Sequence, residues 1–211
     1  MRRLALIAAL AATLATPALA QRKPVVEQDV ALQRASVQAW TACLAAEKSD
    51  DAHRILVQDF NSTSYKLGIR ALAQTRVSKE CFEAMPQAYR SIRLGGLPLA
   101  GGLAEHLLEA VETPLLKRLS MAALGSAAQT YSPSDAIAMC MVRGAPHSVA
   151  GLFGTEIETA DERAALEELK PVADVCAGGA GKFEASALGL RSMLATASYR
   201  LLAAQKVEND A

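Results

Sequence analysis

Several residue types that usually mark a function are scarce in this chain of 211 residues. Aromatic residues make up 4% of it, histidine occurs three times, and 22 Lys and Arg residues are balanced by 22 Asp and Glu residues. A dedicated nucleic-acid-binding protein shows a basic face, so this balance argues against that class. The chain also lacks Walker and dinucleotide-binding motifs and the close C-x₂₋₄-C spacing of structural zinc sites.

Long apolar runs are absent beyond the first 20 residues. The run over residues 4–14 is too short for a membrane-spanning helix, which needs roughly 20 such residues. It follows Arg2 and Arg3 and precedes the small-residue pattern that ends at Ala20, as in a secretory signal peptide. We therefore expect residues 1–20 to be a Sec signal peptide cleaved after Ala20. The mature chain is then expected to be soluble in the bacterial periplasm or medium, without a membrane span.

The most abundant residues of the chain favour helices. Half of the chain (51%) is hydrophobic, and Ala and Leu dominate that half. Both residues have low free-energy cost in a helix, so this composition is typical of closely packed helices. Apolar residues also recur at three- and four-residue steps, as helices with one buried face require. The sequence therefore predicts an all-α protein.

Four cysteines follow the signal peptide: Cys43, Cys81, Cys140 and Cys176. An even number in an oxidising compartment favours disulfides, and four cysteines allow three pairings. Aligning Cys43 with Cys140 places Ile55 and Leu56 opposite Leu152 and Phe153, and the segment 104–108 has the character of 198–202. We interpret this order as an internal duplication, which selects the pairs Cys43–Cys81 and Cys140–Cys176. A zinc site made by the four thiolates is the alternative.

The duplication predicts two helical repeats of three to four helices, each closed by its own disulfide and packed together as one body. The predicted segments are a first repeat over 21–112, a linking helix and turn over 113–133, a second repeat over 134–204 and a disordered tail over 205–211. Within the repeats, the pattern predicts helices over 30–47, 51–58, 65–82, 97–111, 113–124, 134–142, 147–153, 160–176 and 189–204.

Three groups of residues are candidate sites, and each has a simpler interpretation. His106 and Glu109 are one helical turn apart and could begin a metal site, but a metal needs three or four ligands. Ser64 and Lys66 resemble the nucleophile and base of Ser–Lys hydrolases, although helix capping also explains a serine there. The pairs 95–96 and 101–102 are glycines that either hold a phosphate or permit close helix packing. We therefore assign no catalytic, cofactor-binding or metal-binding residue.

The chain resembles uncharacterised secreted two-repeat, four-cysteine helical proteins of sphingomonad-type alphaproteobacteria. The resemblance lies in short segments: a helix ending in Cys followed by an apolar residue, a short helix with Arg and two apolar residues, and a closing Leu-Arg and Tyr pattern. Those segments are Ala42-Cys43-Leu44, Met139-Cys140-Met141-Val142, Arg54-Ile55-Leu56, Leu190-Arg191 and Ser198-Tyr199. The resemblance implies export and a duplicated helical fold, and it implies no activity.

The function expected from the sequence is that of a periplasmic partner-binding or envelope-associated structural protein. This expectation depends on the duplication and on the lack of a convergent polar motif, which also favours a protein that is not an enzyme and holds no cofactor. The alternative is a small-ligand carrier or an enzyme whose site lies in the cleft between the repeats.

Overall fold

The structure is a computed structural model that describes residues 29–91, 93–178 and 183–209. The predicted signal peptide, residues 1–20, lies outside these ranges. Within them the chain forms ten α-helices, one 3-10 helix and no strand, so the all-α fold class is confirmed. The helices are α1 Val30–Glu47, α2 Ser49–Leu56, α3 Thr63–Gln74, α4 Lys79–Ala84, the 3-10 helix Gln87–Ser91, α5 Gly96–Glu109, α6 Leu115–Leu124, α7 Pro133–Gly144, α8 Pro146–Phe153, α9 Ala160–Cys176 and α10 Ala187–Asn209.

Polar side chains start many of these helices. An Asp, Ser or Thr oxygen accepts a hydrogen bond from the backbone N–H three residues later, at 3.0–3.2 Å, and so satisfies one of the free donors of the first turn. Capping therefore fixes where α1, α3, α4, α7 and α9 begin. The capping residues are Asp29, Ser62, Ser78, Ser132 and Thr159.

The predicted helix over residues 65–82 is wrong, because the chain breaks it into α3 and α4. Thr75 adopts an extended backbone conformation at the end of α3. Ser78 then caps α4, and its own N–H donates to the carboxylate of Glu47 at 3.0 Å. Glu47 is the last residue of α1. A contact distant in sequence therefore supports the break, and the helical period does not reveal it.

The prediction of a disordered tail over 205–211 also differs from the structure, because α10 continues to Asn209. Leu201 is fully buried, and the side chain of Gln205 donates a hydrogen bond to the carbonyl of Ser126 at 2.9 Å. Contact with the loop after α6 therefore anchors α10 at Gln205, the first residue of the predicted tail. Residues 210–211 lie outside the described ranges.

Helices α5 and α10 cross at the centre of the molecule, and glycines permit their close approach. A Cβ atom built on Gly101 lies 2.3 Å from the Cβ of Ser192 in α10, and one on Gly102 lies 2.5 Å from Oγ1 of Thr41 in α1. Real Cβ atoms do not come that close, so a larger residue at either position pushes the helices apart. Close packing is therefore the role of the second glycine pair, as one of its two interpretations predicted.

The two halves of the chain repeat one arrangement: α1, α2, α3–α4 and α5 correspond to α7, α8, α9 and α10. In each half, the first helix packs against the last one. Reciprocal contacts link the halves. Arg34 binds Glu158 at 2.7 Å, and their aligned counterparts Tyr131 and Asn61 are also paired, through a hydrogen bond of 2.8 Å to the Tyr131 carbonyl. Exchange of equivalent partners is what a two-fold relation produces.

Each disulfide joins two cysteines of the same half of the chain, as predicted. Cys43 of α1 is joined to Cys81 of α4 with a Cα–Cα distance of 6.0 Å, and Cys140 of α7 is joined to Cys176 of α9 at 5.7 Å. Both distances are typical of disulfides. No cysteine in the described ranges is free.

Within the described ranges, no single helix is both long and apolar enough to cross a membrane. Only α7 and α8 taken together reach that length and apolarity, and the chain bends by 100° between them.

Candidate functional site

A large cleft opens between the two halves, with a volume of about 1150 Å³. Its walls come from five separate parts of the chain: α1, the α2–α3 region, the segment leading into α5, the start of α7, and α10. The buried residues Leu56 and Ile69 provide apolar surface, together with the half-buried Leu94 and Met193. The cleft is therefore a site assembled by the tertiary fold and not by any local motif.

Helix α3 contributes one continuous face to the cleft. Tyr65, Ile69 and Ala73 lie at four-residue spacing, and Lys66 and Arg70 lie beside them at the same spacing. Residues four apart share one face of a helix, so the aromatic and apolar side chains form one row and the two cations the next. The apolar row is half-buried or buried, whereas both cations are exposed. The α3 wall therefore offers an apolar surface bordered by positive charge.

An aromatic cluster of Phe60, Tyr65 and Tyr131 adjoins the cleft. The ring of Phe60 packs edge to face with Tyr65 at 6.4 Å and with Tyr131 at 5.6 Å between centroids. The guanidinium of Arg200 lies over the rings of Phe60 and Tyr131, at 5.8 and 5.3 Å. Such contacts restrain aromatic rings as well as stabilise them. Phe60 and Tyr65 therefore form a rigid part of the cleft wall.

Arg200 is buried and already has its partner. Its guanidinium donates to the carboxylate of Asp135, the acidic residue that lines the cleft, and to the carbonyl of Gln129 at 3.3 Å. Both members of the ion pair are 6% exposed. Burial raises the pKa of nearby Tyr65, while the charge of Arg200 lowers it and the charge of Asp135 raises it. The phenol is therefore a neutral hydrogen-bond donor in the cleft.

Trp40, the one tryptophan of the chain, lies in another part of the wall. Its indole N–H donates to the carbonyl of Tyr89 at 2.8 Å, and its ring packs edge to face with Phe82 at 6.1 Å. Arg90 lies over the same Phe82 ring at 5.1 Å and donates to the Glu83 carbonyl at 2.8 Å. Phe82 follows Cys81, so the first disulfide and this part of the cleft wall belong to one structural unit.

The place that the two-fold relation makes equivalent to the cleft is filled by an ion network with members from both halves of the chain: Arg34, Glu105, Glu158, Glu162 and Arg191. Arg191 binds Glu105 at 2.6 Å and Glu162 at 2.9 Å, and Arg34 donates to both Glu162 and Glu158. All but Glu158 are at most 4% exposed. The cavity remaining beside the network holds only about 10 Å³.

Burial raises the pKa of Glu162, but its polar contacts outweigh this effect and hold the pKa below its usual value. These contacts are hydrogen bonds from Arg34, from the Glu158 N–H and from Arg191, together with the positive charge of Arg34. Glu162 is therefore an anion at neutral pH. Thr159 caps α9, and its hydroxyl accepts a hydrogen bond from the N–H of Glu162. The Glu162 carboxylate, however, accepts from Glu158 and from the two arginines, so it serves the ion network.

The alignment of the two halves explains why the ion network fills its place while the equivalent cleft stays open. Four residues of the ion network, Arg34, Glu105, Glu162 and Arg191, align with four uncharged residues, Tyr131, Tyr199, Tyr65 and Leu97. Two of these counterparts, Tyr65 and Leu97, line the cleft. At these four positions, the cleft side of the molecule therefore lacks the charged groups that form the network.

The candidate metal pair does not form a metal site. Nδ1 of His106 lies 3.2 Å from the Glu109 carboxylate, and Nε2 lies 3.2 Å from the carbonyl of Gln38. Burial lowers the pKa of His106, but hydrogen bonds to Glu109 and Gln38 and the charges of Glu109 and Glu105 raise it overall. Both ring nitrogens are thus engaged. Nowhere in the described ranges do three His, Cys, Asp or Glu side chains group closely enough to hold a metal ion.

The other two candidates have structural roles. The hydroxyl of Ser64 donates to the side chain of Gln58 at 2.8 Å, while Ser62 is the residue that caps α3. Lys66 is exposed and lines the cleft. Gly95 and Gly96 also line the cleft, and Gly96 has a positive φ of 56°, which glycine adopts without strain. The first glycine pair therefore turns the chain into α5 beside the cleft.

Sequence reasoning offered a cleft between the repeats as the alternative site but did not identify its lining residues, although one signal for them was present. Residues 61–79 contain four Lys or Arg residues and no Asp or Glu, although the whole chain is balanced in charge. A local excess of one sign on a predicted helix marks a charged surface. Lys66 and Arg70 come from this stretch. The remaining lining residues, such as Trp40 and Met193, carry no local signal.

Comparison of this chain with protein-family models, curated proteins and solved structures finds no significant match. The site is therefore interpreted from its own geometry.

Proposed function

We propose that this protein is a binding protein that holds a small molecule in the cleft between its halves, and that it acts after export from the cytoplasm. The observation that carries the proposal is the cleft itself. Its volume of about 1150 Å³ is close to the upper end of small-molecule sites, which span roughly 300–1,000 Å³. Apolar walls with a few polar groups are also typical of such sites. The two disulfides are compatible with an oxidising compartment.

The cleft favours a carrier over the other functions expected from the sequence. Its polar lining contains several cations and no histidine, and its carboxylate, Asp135, is bound to Arg200. General acid–base catalysis uses a group that can exchange a proton near neutral pH, and this lining offers none in a free state. The larger exposed apolar side chains are spread over different elements, such as Val30, Met121 and Val175, as on ordinary protein surfaces. The expected protein partner therefore has less support than a small ligand.

Trp40 provides a direct test, because the chain has no other tryptophan and this one lines the cleft. We expect the neutral aromatic probe N-phenylnaphthylamine to quench Trp40 fluorescence in a saturable manner. The variant Ala73→Phe adds a ring on the cleft wall and should abolish the quenching. The matched control Ala71→Phe, at an exposed position of the same helix outside the cleft, should leave it unchanged. Equal quenching in both variants, or no quenching of the unaltered protein by this probe or by a charged analogue of it, would contradict the proposal.

A further inference from the structure

We infer that the ligand of the cleft is a small organic anion: an apolar body with a negatively charged head. This inference rests on the proposed function and specifies its ligand. It follows from the charges that line the cleft, which are five cations, Lys66, Arg70, Arg90, Arg93 and Arg200, against the single carboxylate of Asp135.

Two of the five cations are occupied by the protein itself. Arg200 is neutralised by Asp135, and Arg90 donates to the carbonyls of Met85 and Glu83 while lying over a phenyl ring. Their positions are fixed by these contacts. They shape the wall and add positive potential, but their donors are largely used.

The other three cations have no such partner among the residues that the structure describes. Lys66, Arg70 and Arg93 are exposed, and none of them forms an ion pair with a carboxylate of the described residues. Elsewhere the chain does pair exposed cations with nearby acids, as in Lys170 with Glu167 at 2.5 Å. Three cations without an ion-pair partner in the described part of the chain therefore border one apolar cleft. Guanidinium groups bind carboxylates and phosphates through paired hydrogen bonds, so the natural complement is an oxyanion.

The apolar part of the ligand is determined by the surface between these cations. Ile69 and Ala73 form the apolar row of α3, and Met193 of α10 and Leu97 of α5 line the same cleft. A hydrated inorganic anion leaves this surface in contact with water. An amphipathic organic acid covers the apolar surface and meets the cations at once, which makes it the better complement.

Two probes that share one aromatic skeleton test the inference. Anilinonaphthalene sulfonate carries a negative charge, and N-phenylnaphthylamine lacks it. With Trp40 fluorescence as the readout, we expect the anionic probe to bind about tenfold more tightly or better, because charge-assisted hydrogen bonds add to the shared apolar contact. Raising NaCl from about 0.05 M to about 0.5 M should reduce that advantage through screening.

Single substitutions test which residues cause the preference for the anionic probe. We expect Arg70→Gln and Arg93→Gln each to weaken the anionic probe about fivefold and to leave the neutral probe unchanged. Arg76→Gln is the matched control, because Arg76 is exposed and follows α3 but does not line the cleft. All three positions are exposed, so the melting temperatures should agree. Dodecanoate should displace the anionic probe, whereas dodecanol should not.

The outcomes separate this inference from the proposed function. Equal affinity for both probes, with Ala73→Phe blocking both, overturns the anion preference and leaves a small-molecule carrier. Binding of neither probe overturns both. Displacement of the anionic probe by a Glu-rich peptide but not by dodecanoate overturns the small-ligand assignment and favours a protein partner.

Discussion

Replacing Arg191 with methionine tests the ion network that fills the place equivalent to the cleft. Its guanidinium donates to Glu105 at 2.6, 3.0 and 3.1 Å, to Glu162 at 2.9 Å and to the carbonyl of Thr155 at 3.0 Å. In Arg191→Met, Glu162 keeps its contact with Arg34, whereas the buried carboxylate of Glu105 loses its ion-pair partner. An uncompensated buried charge costs about 3–5 kcal/mol. We expect the free energy of unfolding to fall by that amount, a large part of a typical total of about 5–15 kcal/mol.

Urea unfolding followed by far-UV circular dichroism, with the disulfides intact, measures this loss. The double variant Arg191→Met, Glu105→Gln removes the stranded charge, so it should be more stable than Arg191→Met alone by about 2 kcal/mol. The exposed pair of Lys170 and Glu167 is the control, and Lys170→Met should change stability by less than about 1 kcal/mol. A loss below about 1 kcal/mol in Arg191→Met, or no recovery in the double variant, would refute the reasoning.

Three further predictions concern stability. Because the pKa of Glu162 is lowered in the folded state, its stabilising contribution is present above the unfolded pKa of about 4.3 and is lost as pH falls through the folded pKa. In Glu162→Gln, the free energy of unfolding should therefore decrease less steeply as the solution is acidified. Gly101→Ala should destabilise by about 1–3 kcal/mol in urea, whereas Gly151→Ala, with open space around its Cβ, should stabilise α8 by up to about 1 kcal/mol. Replacing Cys43 and Cys81 with alanine should cost about 3.5–4 kcal/mol and broaden the Trp40 emission, and unchanged emission would contradict the link between this disulfide and the cleft wall.

Local and repeated features could be predicted from the sequence. The cysteine pairs were identified because the duplication leaves one pairing within each half, and the helical pattern predicted α9 with the bounds that the structure gives it. Features set by distant contacts could not. The break after α3 is supported by Glu47, and α10 contacts Ser126 through Gln205. The spacing of apolar residues along a helix does not indicate either of these contacts.

The candidate site shows the same limit more strongly. Arg34 and its partner Glu162 are 128 positions apart, and the cleft collects its walls from five parts of the chain. The sequence predicted that a ligand site, if present, would lie between the repeats, but it did not identify a lining residue as such. A balanced total charge concealed the positive stretch over 61–79, because acids elsewhere cancel it in the sum. Charge read in windows along the chain reveals that stretch.

The position of the two disulfides has a consequence for the covalent structure. Neither joins the first half to the second, so the backbone between Cys81 and Cys140 is their one covalent connection within the described ranges. A protease that cuts the exposed loop at Ser126 and Ala127 therefore yields two fragments. We expect the fragments to remain associated in native buffer through the packing of α5 against α10, and to separate in denaturant without any reductant. After such a cut, the two halves would form a noncovalent heterodimer, each subunit with its own disulfide.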